Sequence, residues 1–515
     1  MITVLEKPIP FGGGIELPPN KTISLESPLR KAELPDLIKI PLRQHIGSPA
    51  KPIVKVGETV LKGQMLAEAQ GYISSPIHAS TSGVIKEIAE HALPNPSGAK
   101  SECIVIETDG KETWVDKKEP IESYYNLSPV EVQKKIWQAG IVGMGGAGFP
   151  SAVKIIPGLS LDIELLIVNA AECEPYISCD EALIKNYAKD VVTGVEVLAH
   201  ALQVDECVIA IEDCKTEAIE ILKEALEQYA EIEIKLILIS NLYPAGGEKQ
   251  LIKSITGIEV PAEGLPVDVG VVVQNIATTV AVKKAIIDGE PLISRIVTIT
   301  GPGIKQACNL EVLFGTQLDE IIKQCGGYNE QFEYLIMGGP MMGFRLHSDQ
   351  VPLIKTTNCL LAAASEIKTT NVKESACIRC DECAPVCPVK LQPQQLHWHT
   401  KEFNSERLQD YSLFDCIECG CCSYVCPSHI PLVDEFRQAK SNIWDKRRKQ
   451  LDAKQHRKRY LDKQARIEQQ KQDKINKQSA VVDDKINDEF TLKKKQDAIA
   501  AAVNRVKQKR KDKKN

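Results

Sequence analysis

The sequence predicts a multidomain protein of α/β plus β class, and three observations carry that prediction. The chain has 515 residues, enough for three or four domains. Apolar residues alternate between glycine turns over residues 31–120, whereas strand-like apolar runs alternate with helical runs over 121–290. Finally, Cys377-Ile-Arg-Cys380-Asp-Glu-Cys383-Ala-Pro-Val-Cys387-Pro388 is repeated as Cys416-Ile-Glu-Cys419-Gly-Cys-Cys422-Ser-Tyr-Val-Cys426-Pro427, which marks a separate cysteine-rich segment. A hydrophobic content of 43% is ordinary for a soluble protein, so real cores are expected.

Residues 1–30 are rich in Pro and Gly, as in Pro10-Phe11-Gly12-Gly13-Gly14, and read as an irregular arm. Residues 31–120 then alternate apolar positions through Ile53–Glu68 and Pro76–Ile88, which predicts a small β-sandwich. The V-x-x-G-x-x-V-x-x-G pattern and the later Ser82-Gly83-Val84-Ile85 resemble biotinyl/lipoyl domains, a barrel-sandwich hybrid. Those domains modify a lysine at a hairpin tip. Gly71-Tyr-Ile-Ser-Ser75 has no lysine, so the fold is expected without the swinging cofactor. His78 reads as a packed or locally bonded side chain.

Over 121–290, Ser128-Pro129-Val-Glu131 forms a capping box with proline at the first helical position, and Gly140 ends that helix. Gly143-Met-Gly145-Gly146-Ala-Gly148-Phe-Pro150 follows. It is formally G-x-G-x-x-G, but a helix rather than a strand precedes it, so the dinucleotide fingerprint does not apply. The remaining readings are a structural turn, or a loop whose bare backbone approaches a phosphate with Lys154 adding charge. Leu165–Val168, Cys207–Ile211, Ile234–Ile239 and Gly270–Gln274 read as buried strands, with Thr216–Tyr229 helical between two of them. Asn169, Glu172 and Glu174 follow the first strand, Gly246-Gly247-Glu248 opens a helix, and Gln274-Asn275 ends the last strand. Ligands of open α/β sheets bind at such strand ends.

In this order the segments resemble the NADH- and FMN-binding subunit of respiratory complex I. The resemblance implies non-covalent FMN held by Gly143, Gly145, Gly146, Gly148, Lys154, Asn169, Gly246, Gly247, Glu248, Gln274 and Asn275. It places Glu172 and Glu174 in catalytic positions on the nicotinamide side, with NAD(H) as substrate. Three positions depart from the family: Ala171 stands for an aspartate, Gly247 for the first of two glutamates, and Gln274 for the first of two asparagines. Residues 291–345 resemble the β-grasp ligand-binding module that follows the flavin domain in that protein, or serve as a docking spacer. Met337-Gly-Gly-Pro-Met-Met-Gly343 reads as a flexible turn with its methionines in the core.

The C-x2-C-x2-C-x3-C-P runs, within residues 366–440, resemble two-cluster bacterial ferredoxins. In such runs the fourth cysteine ligates the other cluster. This assigns Cys377, Cys380, Cys383 and Cys426 to one [4Fe-4S] cluster and Cys416, Cys419, Cys422 and Cys387 to a second. Cys421 is off the pattern and reads as a non-ligand. Paired zinc sites are the alternative; they lack the third cysteine and the Cys-Pro ending. His397, Trp398 and His399 between the runs read as packing residues.

The whole order resembles the RnfC family, a component of the Rnf (Rsx) ion-translocating electron transport complex, over roughly residues 1–440. The family implies an electron-entry subunit on the cytoplasmic face of the inner membrane. Its partners would be integral membrane subunits and an iron–sulfur partner. A soluble flavin-dependent cobalamin reductase and a non-enzymatic docking scaffold are the rival functions. No N-terminal signal pattern and no long apolar run occur, so any membrane role is expected to be peripheral. Nine of the 17 cysteines lie off the repeated pattern and suggest no disulfide framework, which with oxidisable clusters favours the cytosol. From Asp445 to Asn515 there are 24 Lys and Arg against 11 Asp and Glu, so the tail carries about +13 and the rest about −19. A solvated helix or disorder is expected there, with anionic lipid contact as a possible role. No folded nucleic-acid-binding motif accompanies the charge, so nucleic acid is not expected as a partner.

Overall fold

The computed structural model describes residues 4–116, 121, 123–156, 162–364 and 373–511. Residues 1–3 of the expected arm, 366–372 of the expected cluster-binding segment and 512–515 of the tail lie outside the described residues. The chain divides into two compact units, Met1–Arg437 and Gln438–Asn515.

The first unit begins with the irregular arm. It carries one short helix, Thr22–Leu25, and a two-residue strand, Arg30–Lys31. The β-sandwich follows. One sheet runs in the order Leu37–Pro41, Lys100–Thr108, Gly83–Ala92, Thr59–Val60, and a second in the order Lys51–Pro52, Met65–Glu68, Ile77–His78. Alternation puts Ile38, Ile40, Leu66, Ile77, Ile85, Ile104 and Ile106 into one shared core.

The α/β domain is built on a four-stranded sheet, all parallel, in the order Ile234–Ile239, Glu206–Glu212, Leu165–Ala170, Val271–Asn275. Its two central strands are apolar on both sides because both faces are covered. Leu166, Val168, Ile209 and Val272 join the core that contains helices Pro129–Gln138, Cys179–Leu202 and Ile276–Ile286. Leu165, Ile167, Val208 and Val273 pack against helix Glu248–Thr256 and Phe11 of the arm. The Ser128/Glu131 capping box forms as the sequence predicts.

The next module is a six-stranded mixed sheet in the order Arg30–Lys31, Cys308–Leu313, Ser294–Thr300, Cys359–Ala363, Tyr334–Met337, Phe344–Arg345, with helix Leu318–Gln324. It reaches past residue 345, because Cys359–Ala363 pairs with both Ser294–Thr300 and Tyr334–Met337. It also borrows an edge strand from the arm. Its Met337–Gly343 turn departs from the expectation of a flexible turn. The Met341 and Met342 amides are tied to Glu174, and Met342 is 46% exposed, so only Met337 of this group is a core residue.

The helix Leu432–Lys511 runs from the end of the first unit through the second. From Arg448 to Arg510 every described side chain is exposed, which is the solvated-helix form of the tail. Among the described residues no helix is long and apolar enough to cross a membrane.

Candidate functional site

Strand order reverses between Leu165–Ala170 and Val271–Asn275: the chain first adds strands on one side of the former, then returns to add the last on the other. A crevice opens at the carboxyl ends of strands at such a point. Asn169 and Asn275 are paired across it. Two glycine loops flank it. On one side, the Gly143–Pro150 loop is closed by a Gly143 N–H to Phe149 carbonyl bond of 2.7 Å. A Cβ at Gly145 would lie 3.3 Å from Asn275 Cβ, so this loop passes directly over the strand end. Gly146 has φ +108 with nothing within 4 Å of a would-be Cβ, so its backbone faces open space. On the other side, Asn169 donates to the Gly246 carbonyl at 2.8 Å and accepts from the Ala171 amide at 3.0 Å, which clips the Gly246–Gly247 loop to its strand. A Cβ at Gly246 would lie 3.0 Å from Ala171 Cβ, so the small residue at 171 and the bare one at 246 fit each other.

Lys154 spans the crevice, donating to Glu248 at 2.6 Å and to the Val273 carbonyl at 3.2 Å. Asn275 caps helix Ile276–Ile286 and donates to Asp180 at 2.7 Å. Gln274 is 2% exposed, and its Nε2 has no partner from the chain. Open glycine backbone and a lysine at one strand end fit a polar, phosphate-bearing ligand such as FMN, and the unpaired Gln274 amide lies on the same strand.

The resemblance places Glu172 and Glu174 on the nicotinamide side; in this structure both are tied to the chain itself. Both are at least half-buried, and each carboxylate is engaged by this chain. Glu172 accepts from the Asp180 and Glu181 amides at 2.6 and 3.3 Å and from Lys215 at 3.2 Å, with Lys21 near it. Burial opposes its ionisation, but Lys215 and Lys21 hold its carboxyl below the ordinary value. Glu174 accepts from the Met342 and Met341 amides at 2.7 and 3.1 Å. Burial raises its pKa to about 7 against those donors. These carboxylates hold a helix start and a turn in place.

The eight patterned cysteines sort into two cavities. Cys377, Cys380, Cys383 and Cys426 line one, with Gln394 and His397 among its walls. Cys387, Cys416, Cys419 and Cys422 line the other, with Cys421, Val433 and Phe436. Four thiols converging on one enclosed space fit an iron–sulfur cubane, whose irons prefer soft thiolate ligands. The two runs share an unusual backbone. Arg379 and Glu418 both have φ 59, Asp381 and Gly420 have 64 and 85, and Lys390 and His429 have 56 and 52. Left-handed residues at matching places curl each loop around its cavity. His397 bonds Glu435 at 2.6 Å, and Arg379 lies over the Trp398 ring at 5.1 Å, so both aromatic residues do pack in this domain.

The cavity of Cys387, Cys416, Cys419 and Cys422 adjoins the α/β domain. Tyr243, 1% exposed, donates to the Cys419 carbonyl at 2.7 Å. Cys173, Tyr243, Met341, Cys419 and Cys421 share one apolar cluster. The arm runs between them: the Gly14 amide bonds the Val386 carbonyl at 2.9 Å, and Ile15 and Tyr243 exchange backbone bonds of 2.9 and 3.0 Å. Sequence reasoning missed Tyr243, Asp180, Lys215 and the arm. It also missed Thr278 and Arg295, which fix the Met144 amide and carbonyl at 3.1 and 3.0 Å and so anchor the first glycine loop. The only signal was local: three successive glycines in the arm, and polar residues just past strand ends.

A flavin-type crevice joined to two four-cysteine cavities defines a flavin and iron–sulfur electron-transfer protein. The domain families agree. Residues 9–111 match the RnfC barrel sandwich hybrid domain, 136–284 the Nuo51 FMN-binding domain, 296–345 the SLBB domain and 376–430 the 4Fe-4S dicluster domain. FMN and iron–sulfur clusters are therefore the cofactors these domains are built for. The C component of the ion-translocating oxidoreductase complex of Pasteurella multocida (strain Pm70) is 41% identical over 87% of this chain and 53% of its own length. That of Serratia proteamaculans (strain 568) is 42% identical over 97% and 69%, and that of Haemophilus influenzae (strain PittEE) 40% over 89% and 70%. The chain belongs to this family, the C components of ion-translocating oxidoreductase complexes. It spans about half to two thirds of the length of these curated relatives.

Proposed function

We propose that this chain is the electron-entry subunit of an ion-translocating oxidoreductase complex, peripheral on the cytoplasmic face of the membrane, exchanging electrons with NAD(H). FMN in the crevice would take two electrons together and release them singly to two [4Fe-4S] clusters. The chain's own residues supply the frame. Gly143–Gly148 and Gly246–Gly247 would bring bare backbone to the ligand, and Lys154 would offset phosphate charge. Glu172 and Glu174 hold the surrounding turns. Cys387, Cys416, Cys419 and Cys422 would hold the cluster nearer the crevice, and Cys377, Cys380, Cys383 and Cys426 the outer one. The observation that carries this reading is the sorting of eight cysteines into two cavities, one of them against the Tyr243–Gly247 loop. Electrons would leave toward an iron–sulfur partner and integral membrane subunits, and the basic helix would add contact with anionic lipid.

Anaerobic purification followed by an optical and EPR titration with NADH tests it. The expected result is about eight irons per chain, bound FMN that NADH bleaches, and two cluster signals that then appear. Zinc in place of iron, or flavin that NADH leaves oxidised, would reject it.

A further inference from the structure

We propose that Tyr243 sets the reduction potential of the cluster held by Cys387, Cys416, Cys419 and Cys422, through its hydrogen bond to the Cys419 carbonyl. This rests on the cluster assignment above. Tyr243 is a positioning residue, since it touches a ligand residue's backbone and not the sulfur. Its ring is fully enclosed, and its backbone is pinned on both sides by Ile15. The phenol therefore has a fixed place from which to donate. Cys419 is itself 8% exposed, so little solvent competes for its carbonyl. Reduction adds one electron and breaks no bond. The electron would come from reduced flavin, and the phenol stays the donor to the Cys419 carbonyl throughout. A carbonyl directed near a cluster presents negative charge that opposes the added electron. A donated hydrogen bond drains that charge and favours the reduced form, and outer partners of this kind tune metal sites.

Tyr243 also begins the loop that ends in Gly246 and Gly247. The same residue thus spans the flavin crevice and the first electron acceptor, a juxtaposition that neither cysteine run nor glycine loop reveals alone.

The test is an EPR-monitored redox titration of the full chain, prepared anaerobically, as wild type, as Tyr243→Phe and with 3-fluorotyrosine at position 243. A Cys380→Ser chain, which keeps the inner cavity intact, identifies which signal belongs to it. In Tyr243→Phe that signal alone should move to more negative potential. Its reduced-to-oxidised ratio at the wild-type midpoint should fall about tenfold, equal to ~59 mV for one electron. With 3-fluorotyrosine, a stronger donor, the same signal should move the other way. Both signals unmoved at full iron content, or both moved together, would overturn the proposal. Should Tyr243→Phe lose iron, the 3-fluorotyrosine chain decides by the same criterion, since it preserves the packing. A wild-type chain without iron overturns the cluster assignment itself, before any variant is read.

Discussion

The two cysteine runs are the same loop in different surroundings. Every residue of the first, Cys377–Pro388, has its counterpart 39 positions later. The left-handed backbone positions also match pair by pair. Their environments do not. In the outer run Cys380 is exposed, and so are Ile378, Arg379, Asp381 and Glu382. In the inner run the counterpart of Cys380, Cys419, is buried, with Gly420, Cys421 and Cys422. Glu418, the counterpart of Arg379, is held by Arg437 at 2.9 Å. Cys387 reaches across from the first run into the inner cavity, and it too is buried. Spacing therefore sets what each loop holds, and neighbours set what each site does. A buried site against the flavin domain suits reception from within. An exposed one suits delivery to another protein.

Removing one ligand from each loop breaks this comparison most severely. Cys419→Ser should lower iron from about eight to about four per chain and abolish reduction of the outer signal by NADH, while flavin bleaching persists. Cys380→Ser should leave the inner signal reducible by NADH and stop transfer to any acceptor. Iron analysis with freeze-quench EPR reads both. Equal behaviour of the two variants would remove the inner-to-outer order.

The next effect concerns the arm, which touches the inner site. Gly13 has φ +68, and a Cβ there would lie 2.6 Å from the Cys387 carbonyl. Gly13→Ala should cost about 3 kcal/mol, from left-handed strain plus displaced backbone. Gly57, at φ +84 with nothing within 4 Å of its would-be Cβ, is the control. Gly57→Ala should cost only the left-handed strain, about 1 kcal/mol. Thermal melting gives both values, and in Gly13→Ala the inner EPR signal should be lost first.

What sequence reveals depends on how far apart the partners stand. The cysteine sets were legible because three ligands of each lie within seven residues and the fourth follows a known rule. The strands of the α/β sheet were legible because burial on both faces leaves an unbroken apolar run, as in Leu165–Val168. The arm read only as irregular, because its partner Cys387 lies more than 370 positions away and contributes a carbonyl, which any residue has. Glu172 and Glu174 were expected in catalytic positions, and their contacts were not legible. A carboxylate that clamps amides and one that faces a ligand look the same in a sequence. The pairing of Lys154 with Glu248 was hidden for a similar reason: each residue read alone as a ligand group, and only the fold sets them 2.6 Å apart.

Glu174 adds a pH dependence on the inner side. Its ordinary value of 4.5 is raised to about 7 in the fold, mainly by burial. The folded state thus binds a proton more tightly than the unfolded one. The protonated form's stabilisation is fully present below about pH 4.5 and is lost as pH rises through about 7, a span of about 3 kcal/mol. Between pH 5.5 and 8 this group should make the melting temperature fall. Glu174→Gln should flatten that slope while lowering stability at the acid end, because the amide nitrogen donates and cannot replace the oxygen that accepts from one of the Met341 and Met342 amides. An unchanged slope would assign the pH dependence elsewhere.

The smallest effect separates a ligand from a neighbour. Cys421 lines the inner cavity and is wholly buried, yet its counterpart in the outer run is Glu382, which is exposed and no thiol. If matched loops hold matched clusters, the position that differs is the one the cluster does not need. Cys421 then serves as a small apolar filler against Tyr243 and Cys419. Cys421→Ala should leave iron at about eight per chain, leave both EPR signals in place, and cost about 1 kcal/mol from the lost sulfur contacts. Loss of four irons in this variant would make Cys421 a ligand, and the likeness of the two loops would then stop at their backbones.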